Sequence, residues 1–230
     1  MTTVVILGMG GLGCPAALAL AEEMPGVRLL LVDDDRVERS NLARQVLFTD
    51  ADVARPKAEV AARRLSQLVP GVHAEARVQR FNPRSAAALL AGCDVLLDGT
   101  DSFETRFAAN DAACAARIPL VHGAVLGWGG QLLAVLPGRG ACLRCLFEGP
   151  PPPGALPTCA EAGVASPLCG LVGAAMAGEA ARVLRGERPR TLGRLHQWDG
   201  LRGTERDVEV PRDPGCPACA LAPEAALGHP

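Results

Sequence analysis

Tyrosine is missing from this 230-residue chain, and five Phe and two Trp supply all of its large aromatic rings. Little is left to stack on exposed bases. Excess positive charge is missing too: 23 Lys and Arg against 25 Asp and Glu give a formal net charge of -2, so there is no bulk attraction for nucleic acid. Nucleic acid is a poor candidate for a direct partner. No uninterrupted apolar segment approaches the length that spans a bilayer. The apolar residues 3–7 are broken by Gly8 to Gly13 and follow no basic region, so no targeting signal is visible. A cytoplasmic protein without a membrane partner is expected. There is no Walker A loop and no G-x-S-x-G, and the four His are scattered without an evident catalytic pair.

Lysine is the other scarcity. Of 23 basic residues one is Lys, at position 57, and the rest are Arg. Such a bias leaves an occasional Lys by chance, but it also marks a place where a compact ammonium serves and a planar fork does not.

Cysteine, by contrast, is plentiful, at nine residues. Four fall in two pairs, "CLRC" (Cys142, Cys145) and "CPAC" (Cys216, Cys219), each beside a turn. In a reducing compartment, paired cysteines are more often metal ligands or redox groups than structural disulfides. Two C-x-x-C units suit a closed, structural Zn2+ site of four thiolates, which would staple the chain's end to its middle. Two unrelated thiol pairs, or a redox switch, remain the alternatives. Cys159, in "LPTCAEAGV" after a Pro-rich run, is a candidate reactive thiol if it lies near a helix start; the other reading is a buried, small apolar residue. That plain reading is expected for Cys93, Cys114 and Cys169, and packing for Cys14.

With 49% hydrophobic and 21% charged residues, the chain can bury one good core. A single domain over 1–230 is expected, with a nucleotide-binding part, 1–140, and a C-terminal part, 141–230, that includes a Pro-rich loop. Residues 3–7 read as a buried strand, 12–24 as a helix, and 28–33 as a second strand ending in acids. The stretch 49–70 carries a helix that Asp50 or Asp52 caps, with Pro70 just past its end. Residues 72–81 alternate as a strand. "AALLAGCDVLLDGTD" gives a short helix and a strand with Asp98 and Asp101 at its carboxyl end. A helix closed by Pro119 follows, then two strands around a Gly-rich bend. A small-residue helix is expected from about Gly163 to Arg185, and "RLHQWDG" with "TERDVEV" as a final antiparallel pair. The fold class is α/β: a Rossmann-like, doubly wound, mostly parallel sheet with an antiparallel C-terminal extension and a structural zinc site. Ligands bind off the carboxyl ends of such strands, where Asp33, Asp98 and Asp101 would share one edge.

"VVILGMGGLGCP" supplies the glycine fingerprint between strand and helix. Gly8 makes the tight turn, Gly10 admits phosphate or ribose to the backbone, and Gly13 permits close packing. Asp33 is placed to bond a ribose hydroxyl. These features suit any nucleotide, an NAD-dependent oxidoreductase included. "VDDDRVERSNLARQ" and Lys57 point elsewhere. Arg44 and Lys57 flank the start of one helix, as cations do when they neutralise a reacting polyphosphate. Asp101 is well placed for Mg2+, which bridges phosphate oxygens through one or two carboxylates. His122, on a strand, is read as a satisfied core histidine and not as a base.

"GMGGLG", "VDDDRVERSNLARQ", "RPKAEVAARRL", "DGTDSFETRFAAND", "CLRC", "TCAEAGVASPLCG" and "DPGCPAC" follow one another in an order that resembles the ubiquitin-activating-enzyme-like adenylyltransferases. The likeness covers residues 3 to 220. It implies ATP-dependent adenylation of the C-terminal Gly-Gly of a small ubiquitin-like sulfur-carrier protein, for thiamine, molybdopterin or related sulfur transfer. By this resemblance Asp33 binds the ribose, while Asn41, Arg44 and Lys57 contact the triphosphate. Asp101 holds magnesium, and Cys142, Cys145, Cys216 and Cys219 ligate zinc. Gly8, Gly10, Gly11, Gly13, Asp35 and Gln45 complete the nucleotide set. Cys159 matches the family's catalytic-type cysteine, beside Arg44, Lys57 and Asp101 as the reaction's other residues. No rhodanese-like part follows, so a separate sulfur donor of the cysteine desulfurase or rhodanese type is expected, and a homodimer is the usual assembly. Family members usually begin with a helical segment whose Arg reaches the partner subunit's ATP. Here the glycine strand begins at Thr3, so another Arg substitutes, the true start lies upstream, or adenylation is weakened. A nucleotide-binding scaffold without chemistry is a third reading.

Overall fold

The computed structural model describes residues 1–152, 155 and 162–220. One eight-stranded sheet runs through them in the order β3-β2-β1-β4-β5-β6-β7-β8. Its strands are β1 (Thr3–Leu7), β2 (Arg28–Val32), β3 (His73–Arg77), β4 (Val95–Asp98), β5 (Leu120–Leu126), β6 (Gly129–Val135), β7 (Arg194–Asp199) and β8 (Thr204–Glu209). β1 to β5 are mutually parallel, and β5 to β8 pair antiparallel. The parallel part with its antiparallel extension is the expected architecture.

Continuous apolar runs such as TVVIL and VLLD form the central strands because both faces of a parallel sheet are covered. Val4, Ile6, Leu29, Leu31 and Leu97 pack on one side with helices α1 (Gly13–Glu23) and α2 (Lys57–Leu68). Val5, Leu7, Leu96, Leu120 and Val135 pack on the other with α3 (Ala86–Leu89), α4 (Phe103–Ala116) and α5 (Leu143–Leu146). The last helix, α6 (Ser166–Leu184), belongs to the first side and lies against α1. By length and composition α6 is apolar enough to cross a membrane, against the expectation that no segment approaches that length. Its Cys169, Val172, Met176 and Ala180 are at most 2% exposed within the first core. Its apolar residues are those of a core helix, with Glu179 and Arg182 interrupting them. At Gly173 an added Cβ would stand 2.6 Å from Pro15 Cγ, so the two helices touch through that glycine.

Two starts differ from expectation. Asp50 and Asp52 do not cap α2; they form a separate 3-10 turn with its own capping box, in which Thr49 and Asp52 bond each other's backbone N–H groups. Pro56 then sets the start of α2 at Lys57. The late helix begins at Ser166, not Gly163. Gly163 takes φ +68°, and the chain from there to Ala165 bonds to Gly127 in the β5–β6 turn before Pro167 opens the helix.

The order places a switch point between β1 and β4. The chain leaves β1 toward β2 and β3, then returns to add β4 on the other side. Loops that follow these two strands part there and leave a crevice at the carboxyl edge.

Candidate active site

The glycine turn between β1 and α1 forms one wall of the crevice. Gly8 adopts φ +81°, a region that favours glycine, and a Cβ on Gly13 would overlap the Gly8 carbonyl oxygen. Gly13 therefore closes the turn on itself and does not line the crevice. Gly10 would meet nothing within 4 Å, so its backbone is open to a ligand. Over Gly11 lie the Cδ and Cγ of Arg44.

Asp33, just beyond β2, is 9% exposed. Its Oδ2 accepts the Met9 N–H at 2.6 Å and its Oδ1 accepts the Asp35 N–H at 2.7 Å. Burial, the largest influence, raises its carboxyl above the usual range, against the pull of Lys57 and the two amides. Lys57 opens α2 and is 6% exposed. Its Nζ lies 2.8 Å from Asp35 Oδ2, and its backbone N–H donates to the Asp35 carbonyl. The single lysine is thus buried at a helix start, paired with Asp35 and close enough for its charge to act on Asp33. A guanidinium is bulkier than that ammonium and its fork needs more acceptors.

Arg44 Nη2 donates to Asn41 Oδ1 across the irregular segment after Asp35. Gln45 is 2% exposed, and its Oε1 has no partner among the described residues. Asp101, after β4, is exposed and makes no hydrogen bond or ion pair among the described residues. Together Gly8, Gly10, Gly11, Asp33, Asp35, Asn41, Arg44, Gln45, Lys57 and Asp101 line a cavity of about 370 Å³. Every expected nucleotide residue except Gly13 is in its wall.

Asp98 is not. It is fully buried, with Oδ1 accepting from the Thr100 hydroxyl at 2.7 Å and Oδ2 meeting His122 Nδ1 at 2.8 Å. Its burial favours protonation, yet bonds from His122 and Thr100 and the charge of Arg106 hold its carboxyl below the usual range. Asp98 fixes the β4 loop from beneath, so the shared acidic edge reduces to Asp33 and Asp101. His122 is the satisfied histidine expected.

A second cavity, of about 1300 Å³, lies over β5–β8 beside α4 and carries Phe103, Phe147, Trp128 and Trp198 in its wall. The two cavities share Asp101, Ser102, Arg106 and Val125. Arg106 escaped the sequence reading. Its position in the first turns of a helix that starts off a parallel strand's carboxyl end was the available signal.

The four paired cysteines come together. Their sulfurs lie within 4.8 Å of one another, with Cys142–Cys216 at 3.6 Å and Cys145–Cys219 at 3.5 Å. A tetrahedral zinc with Zn–S bonds of about 2.3 Å needs sulfurs roughly 3.8 Å apart. Asn110 Nδ2 points at Cys142 Sγ from 3.7 Å, and the Asp213 N–H donates to Cys145 Sγ at 3.4 Å, as donors to thiolates do. Cys142 is drawn well below the ordinary thiol range, first by the Cys114 thiol and then by Asn110 and two backbone amides. Arg144 grips Asp111 with two bonds of 2.6 and 2.7 Å and anchors this corner to α4. The cluster could hold a metal ion. Asp33, Asp34 and Asp35 also converge, but each is committed, to backbone amides, Arg80 and Lys57 respectively.

Cys14 and Cys93 have thiols pushed up to about 12 by burial, as inert packing groups should. Cys169 lies under the glycine turn, where a Cβ on Gly11 would be 3.1 Å from its sulfur. Cys159 falls outside the described residues.

Fold and site together define a Rossmann-type protein with a charged cavity at its switch point and a four-cysteine cluster. The profile of the ThiF family matches residues 1–218, and the chain belongs to that family. It is 45% identical to a sulfur carrier protein adenylyltransferase of Thermus thermophilus over 96% of this chain and 83% of that one. It is 44% identical to the SAMP-activating enzyme E1 of Haloferax volcanii, covering 94% and 79% of the two chains. The sulfur carrier protein ThiS adenylyltransferase of Escherichia coli is 41% identical, with 94% and 85% covered. Among solved structures, E. coli MccB with ATP superposes with a TM-score of 0.83 at 21% identity, over 95% of this chain and 67% of that one. That likeness concerns the fold.

Proposed function

We propose that this protein uses ATP to adenylate the C-terminal Gly-Gly carboxylate of a small ubiquitin-like sulfur-carrier protein, preparing it for thiocarboxylate formation. The observation that carries the reading is the convergence of Lys57, Arg44, Asn41 and Asp101 on the cavity beside the glycine turn. Relatives that share 41–45% of their residues with nearly the whole chain are named for this activity, which supports it.

Asp33, preset by two backbone amides, accepts the ribose hydroxyls. Lys57 and Arg44 receive the triphosphate. An oxygen of the tail carboxylate bonds to the α-phosphorus, the bond to the bridging oxygen of the β-phosphate breaks, and pyrophosphate leaves with the charge that these cations stabilise. Asp101, unpartnered among the described residues, is suited to hold Mg2+, which would neutralise phosphate oxygens. The Cys159 thiolate then attacks the acyl carbon of the adenylate, the bond from that carbon to the phosphate oxygen breaks and AMP leaves, and sulfide-level sulfur from a separate donor displaces the thiolate to give the thiocarboxylate. The four-cysteine cluster fits Zn2+ as a closed structural site that staples residues 142–145 to the chain's end. We read the nucleotide part and the cysteine-stapled part as one adenylation domain, active in the cytoplasm as a homodimer.

The test is ATP–pyrophosphate exchange with candidate carriers ending in Gly-Gly. Carrier-dependent exchange is expected. ATP binding without exchange for any carrier would leave a scaffold, and saturable binding of a nicotinamide dinucleotide in place of ATP would leave an oxidoreductase.

A further inference from the structure

Arg106 has no role in the reaction as described so far, yet it occupies the junction of the two cavities. Of the four residues common to both walls it is the only cation. Arg44 and Lys57 line the smaller cavity alone and are engaged with Asn41 and Asp35. Arg202 and Arg206 line the larger one alone.

The residue is 9% exposed, and its side chain is held in place. Nε donates to the Thr100 carbonyl at 2.9 Å, and the guanidinium stands 5.1 Å from the centre of the Phe103 ring. These contacts leave both terminal nitrogens without a carboxylate partner among the described residues. Asp98 feels the charge, but its own oxygens are taken by His122 and Thr100. Neither of these nitrogens is a fully buried atom, so an anion arriving in either cavity can reach them. Phosphate charge already has Lys57 and Arg44. The anion that must reach the junction through the larger cavity is a carboxylate at the end of a chain, and the planar fork of an arginine matches its two oxygens.

We propose that Arg106 receives the carrier's C-terminal carboxylate where the two cavities meet, and so sets the requirement for a free chain end. This rests on the adenylation reading above. Binding is measured calorimetrically with magnesium, a non-hydrolysable ATP analogue, and a carrier that supports exchange, in its native form and with its C-terminus amidated. The wild type is expected to favour the free carboxylate by about tenfold, as loss of a charge-assisted pair implies. Arg106→Gln should bind the two forms within about twofold of each other while its affinity for the ATP analogue changes by less than about threefold. Arg106→Lys, which keeps the charge but not the fork, should fall between, and it decides the matter if the Gln variant fails to fold. Undiminished preference in either folded variant, no preference in the wild type, or an equal loss of nucleotide affinity would overturn the assignment while leaving adenylation intact. Absence of exchange by the wild type with every carrier would instead remove the functional reading, and this one with it.

Discussion

Replacing Lys57 with Ala separates catalysis from stability. The Lys57 side chain is 7% exposed, and its partner Asp35 has a side chain 63% exposed. Water can therefore resolvate Asp35, and the direct ion pair contributes only about 1 kcal/mol to folding after screening. Asp33 is more sensitive. Its carboxyl already sits above the usual range because it is buried, and Lys57 is the main charge opposing that rise. Without Lys57 it rises further. A carboxylate with a raised folded pKa favours the fold below its unfolded pKa and loses that contribution as pH climbs through the folded value. The variant's stability should consequently fall more than the wild type's between about pH 4 and neutrality. For the reaction, one cation withdrawn from a reacting polyphosphate is worth about 3–4 kcal/mol, or roughly 10²–10³ in rate. ATP–pyrophosphate exchange should drop to background, while the melting temperature moves by only about 2–4 °C. Lys57→Arg should not rescue exchange, because the buried position beside Asp35 accommodates a compact head. Exchange within about threefold of wild type in Lys57→Ala would refute the argument. So would a loss that recovers fully on cooling, which would reveal an effect on folding alone.

Three further outcomes are expected. Metal analysis of the purified protein should find one zinc per chain, and Cys216→Ala should abolish it and lower the melting temperature sharply, since the cluster ties residues 74 positions apart; retention of zinc by that variant would assign the metal elsewhere. Acid unfolding should show a limb due to Asp52. Burial is the largest influence on it and acts upward, but bonds from Thr49 and Arg64 bring its carboxyl down to about 2. A depressed carboxyl stabilises the fold above its unfolded pKa, and this contribution is lost as pH falls from about 4 toward 2. Asp52→Asn should lack that limb, and identical acid profiles would disprove the account. Finally, Cys159→Ser should spare exchange while blocking any covalent adduct with the activated carrier, seen by mass under non-reducing conditions; loss of exchange would overturn the division between adenylation and sulfur chemistry.

Much of the site could be read without coordinates because its chemistry is local in the chain. The fingerprint glycines, Asp33 and the polar loop to Gln45 lie within forty residues and hang from two adjacent parallel strands, so strand–turn–helix geometry alone brings them together. Lys57 was conspicuous as the one lysine, and the cysteine pairs announced themselves by spacing. Arg106 was hidden because nothing in "ETRF" distinguishes a buried arginine from the many solvated ones. Asp98 misled because a strand's last residue can face the crevice or the layer beneath, and the partner that decides, His122, lies on a different strand. The helix starts at Lys57 and Ser166 turned on Pro56, Pro167 and the Gly127 contact, where competing caps were available nearby.

Sequence by itself determined the layer architecture, the charged crevice beside the glycine turn and the four sulfurs, because periodicity, glycine punctuation and cysteine spacing act over short stretches of chain. Only the tertiary structure decided which charges are buried, which are already paired, and that two cavities join at one arginine. Those properties depend on what distant segments bring to the same point, and desolvation, which sets their energies, exists only once the segments have packed.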